Sequence, residues 1–112
     1  MRPTPAPPAE LELSTVLNAL ADPVRLALVA QLRERDRIAC GTFETDVAKS
    51  TLTYHFNVLR EAGVIETERV GGRALNTLRR AELDAAFPGL LDPVFAAFAA
   101  ASRRRARSPA RR

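Results

Sequence analysis

KSTLTYHFNVLREAGVI, residues 49–65, is the segment from which every other part of the chain takes its meaning. Leu52, Phe56 and Leu59 recur at spacings of four and three, so the segment predicts a helix with one apolar side packed inward. The opposite side carries Ser50, Thr53, Tyr54 and Asn57. These are short or planar hydrogen-bonding groups, where an idle solvent face would show a Glu/Lys mixture. Such groups suit base edges and phosphate oxygens. Ser50 or Thr51 is expected to cap the first turn, and Lys49 stands where a helix N-terminus already attracts a phosphate. Ala62-Gly63 ends the helix, because glycine accepts the left-handed backbone that a helix end requires.

Two short β-prone runs follow, Val64 to Val70 and Arg73 to Arg79, separated by Gly71-Gly72. A Gly-Gly pair between such runs predicts a tight two-residue hairpin. Helix, glycine, strand, turn, strand is the layout of a wing beside a reading helix. Arg69 and Arg73 flank its tip, where they would meet a nucleic-acid backbone or minor groove.

Thr53-x-His55-Phe56-x-x-Leu59-x-x-Ala62-Gly63-Val64-Ile65, with Gly72-Arg73 beyond it, resembles the recognition helix and wing of the ArsR family of bacterial repressors. Leu20-Ala21-Asp22-Pro23-Val24-Arg25-Leu26 is similar to the opening of that family's second helix. The likeness spans roughly residues 10–102. It implies a mainly α fold with a small β-hairpin, a winged helix-turn-helix, dimerising through its N- and C-terminal helices. It also implies a transcription factor, a repressor, holding double-stranded DNA as a homodimer on an inverted-repeat operator. Thr53, Tyr54 and Asn57 are the candidates for base contacts. Lys49, Ser50, Thr51 and Arg60 are the candidates for positioning the phosphate backbone, with Arg69 and Arg73 on the wing. His55 matches the family's histidine, and its expected role is helix packing before phosphate contact. The rival reading is a winged helix used as a protein-interaction module, with Tyr54 and Asn57 meeting a protein partner instead of bases.

Before the reading helix, Met1 to Ala9 holds four prolines and no apolar period and is expected to be a disordered lead. From Glu10, Leu13, Val16, Leu17 and Leu20 give a first helix to about Ala21. Asp22-Pro23 restarts the chain as an N-cap and first-turn proline, and Val24, Leu28, Val29 and Leu32 mark the core side of a second helix ending near Arg35. Arg25 is expected either at a phosphate or in a surface pair with an acid such as Asp22. Residues 36–48 depart from the family pattern. A brace helix of about seven residues belongs there, yet Gly41, Thr42, Thr45 and Asp46 interrupt it. A short or irregular helical segment is expected, with Phe43 and Val47 plugged into the core.

After the wing, Arg80 to Phe87 reads as a helix with Leu83, Ala86 and Phe87 inward, broken by Pro88-Gly89. Leu91, Val94, Phe95 and Phe98 then make an apolar stripe on an alanine-rich helix running to about Arg103. With Leu13, Val16 and Leu17 of the first helix, that stripe is assigned to a twofold dimer interface, the competing reading being that it completes its own subunit's core. Residues 103–112, with six arginines and no acid, read as a basic, solvated tail.

A chain of 112 residues with a formal charge of +4 allows one domain. The sign of the charge matters less than its distribution. Residues 49–80 hold six basic and three acidic side chains, whereas 1–48 hold five against seven and 81–102 only three acids. Positive charge therefore gathers on the proposed reading helix and wing, and in the tail. Lone Cys40 excludes an intramolecular disulfide and fits a reducing compartment. No run approaches the ~18 apolar residues of a membrane span, and the N-terminus lacks a signal-peptide core. A cytoplasmic protein with no membrane partner is expected. Cys40 and His55 are the only soft ligands, too few for a zinc site, and the cysteine pairs or last-helix histidines of metal-responsive ArsR proteins are missing. No metal and no cofactor is expected, and the effector is left open. One histidine, no glycine-rich phosphate loop and no paired acids in a cleft give no basis for an enzyme.

Overall fold

The first corner of the fold is made by Asp22 and Pro23, as expected. In the computed structural model, which describes residues 11–107, the Asp22 carboxylate accepts from the backbone N–H groups of Val24 (2.8 Å) and Arg25 (3.2 Å), and Pro23 occupies the first helical position. This cap separates α1 (Leu13–Leu20) from α2 (Pro23–Glu34). The lead, residues 1–9, and the last five residues of the expected tail lie outside the described residues.

β1 (Ile38–Ala39) follows α2, then a single 3-10 turn over Cys40–Thr42, then extended chain into α3 (Lys49–Glu61). β2 (Ile65–Val70) and β3 (Arg73–Leu78) form the expected hairpin, followed by α4 (Arg80–Ala86) and α5 (Leu91–Arg107). The hairpin is closed by Gly71 (φ 57°) and Gly72 (φ 81°), both in the left-handed region that a two-residue turn with positive φ at both centres needs. Its register runs from Ile65 opposite Leu78 to Val70 opposite Arg73.

Three features were not expected. Residues 36–48 hold the short helical segment expected, a three-residue 3-10 turn with no brace α-helix among the described residues, but Ile38 and Ala39 before it pair with Asn76 and Leu75, adding a third antiparallel strand in the order β1-β3-β2. Two residues are too few to show a period, so nothing in the sequence announced the strand. The last helix runs beyond Arg103 to Arg107, and Arg103 to Arg105 are exposed side chains of that helix. Alanine and arginine are strong helix formers, and cations suit a helix C-terminus.

The third feature concerns the assigned dimer surface. Val16, Leu91 and Phe95 are buried in this subunit's own core, at 0–3% exposure, with Leu20, Leu28, Val29, Leu32, Phe56, Leu59 and Leu83. Such side chains have no surface left for a second copy. Leu13 (47% exposed) and Leu17 (42%) do face outward, and Val94 and Phe98 are half-buried. The stripe on α5 is therefore divided between core and surface, because a helix lying on its own subunit turns the middle of its apolar arc inward.

Candidate nucleic-acid interface

The two sides of α3 separate as its spacing predicts. Leu52, His55, Phe56 and Leu59 are buried, while Lys49, Ser50, Thr51, Thr53, Tyr54 and Asn57 are exposed. Tyr54 is among the most exposed large side chains of the fold, at 59%. Arg60, one turn beyond Asn57, is half-buried.

The expected side-chain cap at Ser50 or Thr51 is absent. The N-cap residue is Ala48, with no side-chain hydrogen bond, and Ser50 and Thr51 already lie inside the helix. Thr53 donates its hydroxyl back to the Lys49 carbonyl (3.1 Å). What leads the chain into α3 is side-chain chemistry from elsewhere. Gln31 of α2 grips the backbone of Glu44 at both ends, its amino group donating to the carbonyl (2.9 Å) and its carbonyl accepting from the N–H (3.0 Å). Phe43, as expected, is buried, and its ring lies 5.1 Å from that of Phe56. Val47 is half-buried against the same core.

The middle of α3 is held by Arg25, in a role neither sequence alternative foresaw. It does not face solvent or Asp22's carboxylate. Its guanidinium is buried, donating through Nε to the Ala19 carbonyl (2.7 Å), through Nη2 to Asn18 (3.4 Å) and through Nη1 to His55 Nδ1 (3.0 Å). Two of these acceptors are carbonyls of the last turn of α1, where carbonyls run short of helical partners; that of Asn18 also accepts from the Ala21 N–H (3.1 Å). Because a guanidinium only donates, Nδ1 of His55 must carry its lone pair, placing the ring proton on Nε2. His55 is thus a packing residue, as expected. Asp22 sits beside this pair. Partial burial opposes its charge, but the backbone N–H groups of Arg25 and Val24, with His55 and the Arg25 guanidinium nearby, carry its carboxyl below the usual value.

The end of α3 is fixed to the wing. Val64 N–H donates to the Leu59 carbonyl (3.0 Å) and Gly63 N–H to that of Arg60 (3.1 Å), a Schellman closure with Gly63 at φ 85°. Arg79, at the far end of β3, donates from its backbone to Val64 (2.9 Å) and from its side chain to Gly63 (3.2 Å). Arg60 donates to Thr67 Oγ1 of β2 (2.7 Å) and to the amide oxygen of Asn57. Thr67 passes its own proton to Asn76 Oδ1 (2.7 Å), and the fully buried Asn76 donates to the Ile38 carbonyl (3.1 Å) and Cys40 Sγ (3.2 Å). Composition and spacing gave no sign of this chain of bonds.

Arg69 and Arg73 are both exposed beside the turn but are not equivalent. Arg69 stands opposite Ala74 and Val70 opposite Arg73, so the two arginines lie on opposite faces of the ribbon. Arg69 shares its face with Thr67 and Asn76, the side turned to α3. The exposed side of α3 and both faces of the wing tip together offer hydrogen-bond donors and positive charge, and the acids on these elements are Glu61, Glu66 and Glu68, the last paired with Arg37.

Among the described residues no group of three or more His, Cys, Asp or Glu is placed to hold a metal ion. A cleft of about 390 Å³ lies between the end of α2, β3 and α4, lined by Leu32, Arg33, Asp36, Arg37, Thr77, Leu78 and Arg80. Its arginines are paired with carboxylates, Arg33 with Glu34, Arg37 with Glu68, and Arg80 with Asp84 and Asp92. No single helix among the described residues is long and apolar enough to cross a membrane.

A family model described as a helix-turn-helix domain matches residues 20–68. The HTH-type transcriptional repressor SmtB of Mycobacterium tuberculosis is 38% identical over 78 residues, which are 66% of this chain; the chain spans 58% of that relative's length. The crystal structure of the transcriptional repressor BigR from Xylella fastidiosa is 31% identical, with a TM-score of 0.56 over 67% of this chain and 85% of that one. An ArsR-like transcriptional regulator from Rhodococcus sp. RHA1 shares the fold with a TM-score of 0.60 at 23% identity, over 84% and 85% of the two chains.

Proposed function

Since this chain belongs to the ArsR family of winged helix-turn-helix transcriptional regulators, which are not enzymes, we propose that it is a cytoplasmic repressor that binds an inverted-repeat operator as a homodimer. The observation that carries this reading is the division of α3, with its apolar side locked into the core and Lys49, Ser50, Thr51, Thr53, Tyr54 and Asn57 left outside beside an arginine-bearing wing. Thr53, Tyr54 and Asn57 read bases; Lys49, Ser50, Thr51 and Arg60 position the backbone with Arg69 and Arg73. Repression follows the relatives, two of which carry that description.

Dimerisation uses Leu13 and Leu17 of α1 with Val94 and Phe98 of α5, the members of the two apolar stripes that retain surface. Twofold symmetry then sets half-sites one helical turn apart, about 34–36 Å. In-vitro selection from a random duplex pool with the purified protein tests fold, symmetry and function together. Enrichment of an inverted repeat at that spacing supports the reading. A well-folded monomer that enriches nothing refutes it.

A further inference from the structure

The bonding of Arg60 has a consequence for which base Asn57 can read, and it rests on the DNA-reading role just proposed. We propose that Arg60 and Thr67 act as positioning residues that fix the Asn57 side chain with its amino group outward, so that the reading helix selects an acceptor-only base edge, guanine, where asparagine would otherwise select adenine.

The polarity is dictated by chemistry. A guanidinium has only donors, so the Asn57 atom that meets Arg60 must be its amide oxygen. Arg60 is held in turn by Thr67, whose hydroxyl accepts from Arg60 and therefore donates onward to Asn76 Oδ1. Asn76 is fully buried with its amino group against the Ile38 carbonyl. Flipping its amide would set acceptor against acceptor at Ile38 and leave the Thr67 proton facing a donor, a cost a buried site does not tolerate. The guanidinium thus sets the direction of the bond to Asn57, and the buried Asn76 amide sets that of the Thr67 bond which holds Arg60 in place.

Asparagine reads adenine with both amide atoms, the oxygen accepting from N6 and the nitrogen donating to N7. Here one of the oxygen's two lone pairs is taken by Arg60, which turns the amide so that exposed Asn57 leads with its two N–H groups. Guanine presents O6 and N7, one acceptor for each N–H, in the same groove, whereas thymine presents O4 alone beside its methyl group. Cytosine presents an amino donor, which meets these N–H groups head on.

The test is in-vitro selection with the wild type, Asn57→Ala and Arg60→Leu. The position whose preference is flattened by Asn57→Ala is the one Asn57 reads. The wild type is expected to select guanine there, and Arg60→Leu, which releases the amide oxygen, to shift the choice toward adenine by about tenfold. A second arm needs no variant. At that position inosine, which keeps O6 and N7, should bind the wild type as well as guanine does, while 7-deazaguanine should bind several-fold more weakly. Adenine selected by the wild type, guanine retained by Arg60→Leu, or indifference to 7-deazaguanine overturns the proposal while leaving DNA binding intact. A wild type that enriches no sequence overturns the functional reading as well.

Discussion

Arg25→Met tests the internal anchoring of α3 most sharply. The guanidinium makes two short hydrogen bonds, to the Ala19 carbonyl at 2.7 Å and to His55 Nδ1 at 3.0 Å; the contact to Asn18 at 3.4 Å is long and is counted as nothing. Deleting it leaves two buried acceptors without their donor, each worth about 1–3 kcal/mol. Burying the guanidinium carries its own desolvation penalty, which methionine avoids, and Met fills most of the same volume. The net loss expected is about 2–4 kcal/mol, or roughly 10–20 °C in melting temperature for a domain of this size. Urea unfolding followed by circular dichroism gives the number, with an unchanged slope showing that the denatured state is not involved. His55→Phe alone should cost less, and a double-mutant cycle should return coupling of about 1 kcal/mol or more between the two sites. A loss below about 1 kcal/mol for Arg25→Met, or no coupling, would refute the assignment of Arg25 as the tie between α1, α2 and the reading helix.

Four further outcomes follow from the geometry. Gly63→Ala should destabilise by about 1–2 kcal/mol from backbone strain alone, and more from the added Cβ, which falls 2.3 Å from Leu11 Cδ2; unfolding midpoints measure it. Asp22→Ala should cost about 1 kcal/mol at neutral pH. Because the folded carboxyl is held below its ordinary value of 3.8, the cap's charged contribution is complete above that value and is lost as pH falls through the lower folded value. The gap between wild type and variant should therefore narrow in urea titrations taken at successively lower pH, and a constant gap would remove the linkage. Arg73→Ala should weaken binding to all duplex sequences alike and reduce the salt slope by about one, whereas an unaltered slope in fluorescence anisotropy takes the wing tip out of the footprint. Leu13→Arg with Leu17→Arg should give a folded monomer by sedimentation, since both side chains are exposed and outside the core; a persisting dimer would move the interface elsewhere.

What was legible in the sequence was whatever repeats or punctuates. The 3.6-residue period placed the body of α3 and its buried side, though its N-cap falls two or three residues before the one expected at Ser50 or Thr51, and glycine placed its Schellman closure and the hairpin turn. Burial of Val16 and Phe95 was not legible, because an apolar stripe looks the same whether it meets its own subunit or another. β1 has only two residues, below any periodic signal. Arg25 and Asn76 were missed for a different reason. Both are polar types usually found outside, and what draws them in is a set of acceptors, carbonyls of α1 for one and of β1 for the other, that only the fold brings within reach.

These same buried polar groups explain how a reading helix keeps its direction without the helix that ordinarily braces it. α3 is pinned at three heights. Its entry is set by the Gln31 grip on Glu44 and the Phe43–Phe56 ring contact, its middle by Arg25 on His55, and its exit by Gly63 and the Arg60–Thr67 bond. At the entry the Gln31 bonds are exposed and compete with water, while the Phe43–Phe56 contact is buried, so Gln31 is the weakest of these ties; the middle and exit anchors are buried or tied to a buried amide. Loss of Gln31 therefore loosens the approach to α3 and its first turn, which Phe43 and the buried Leu52 still hold to the core. That turn bears Lys49, Ser50 and Thr51, whereas Asn57 lies beyond the Arg25 anchor. The functional damage expected from loosening the entry is accordingly in overall affinity, through the groups proposed to position the backbone, with the base preference proposed for Asn57 preserved.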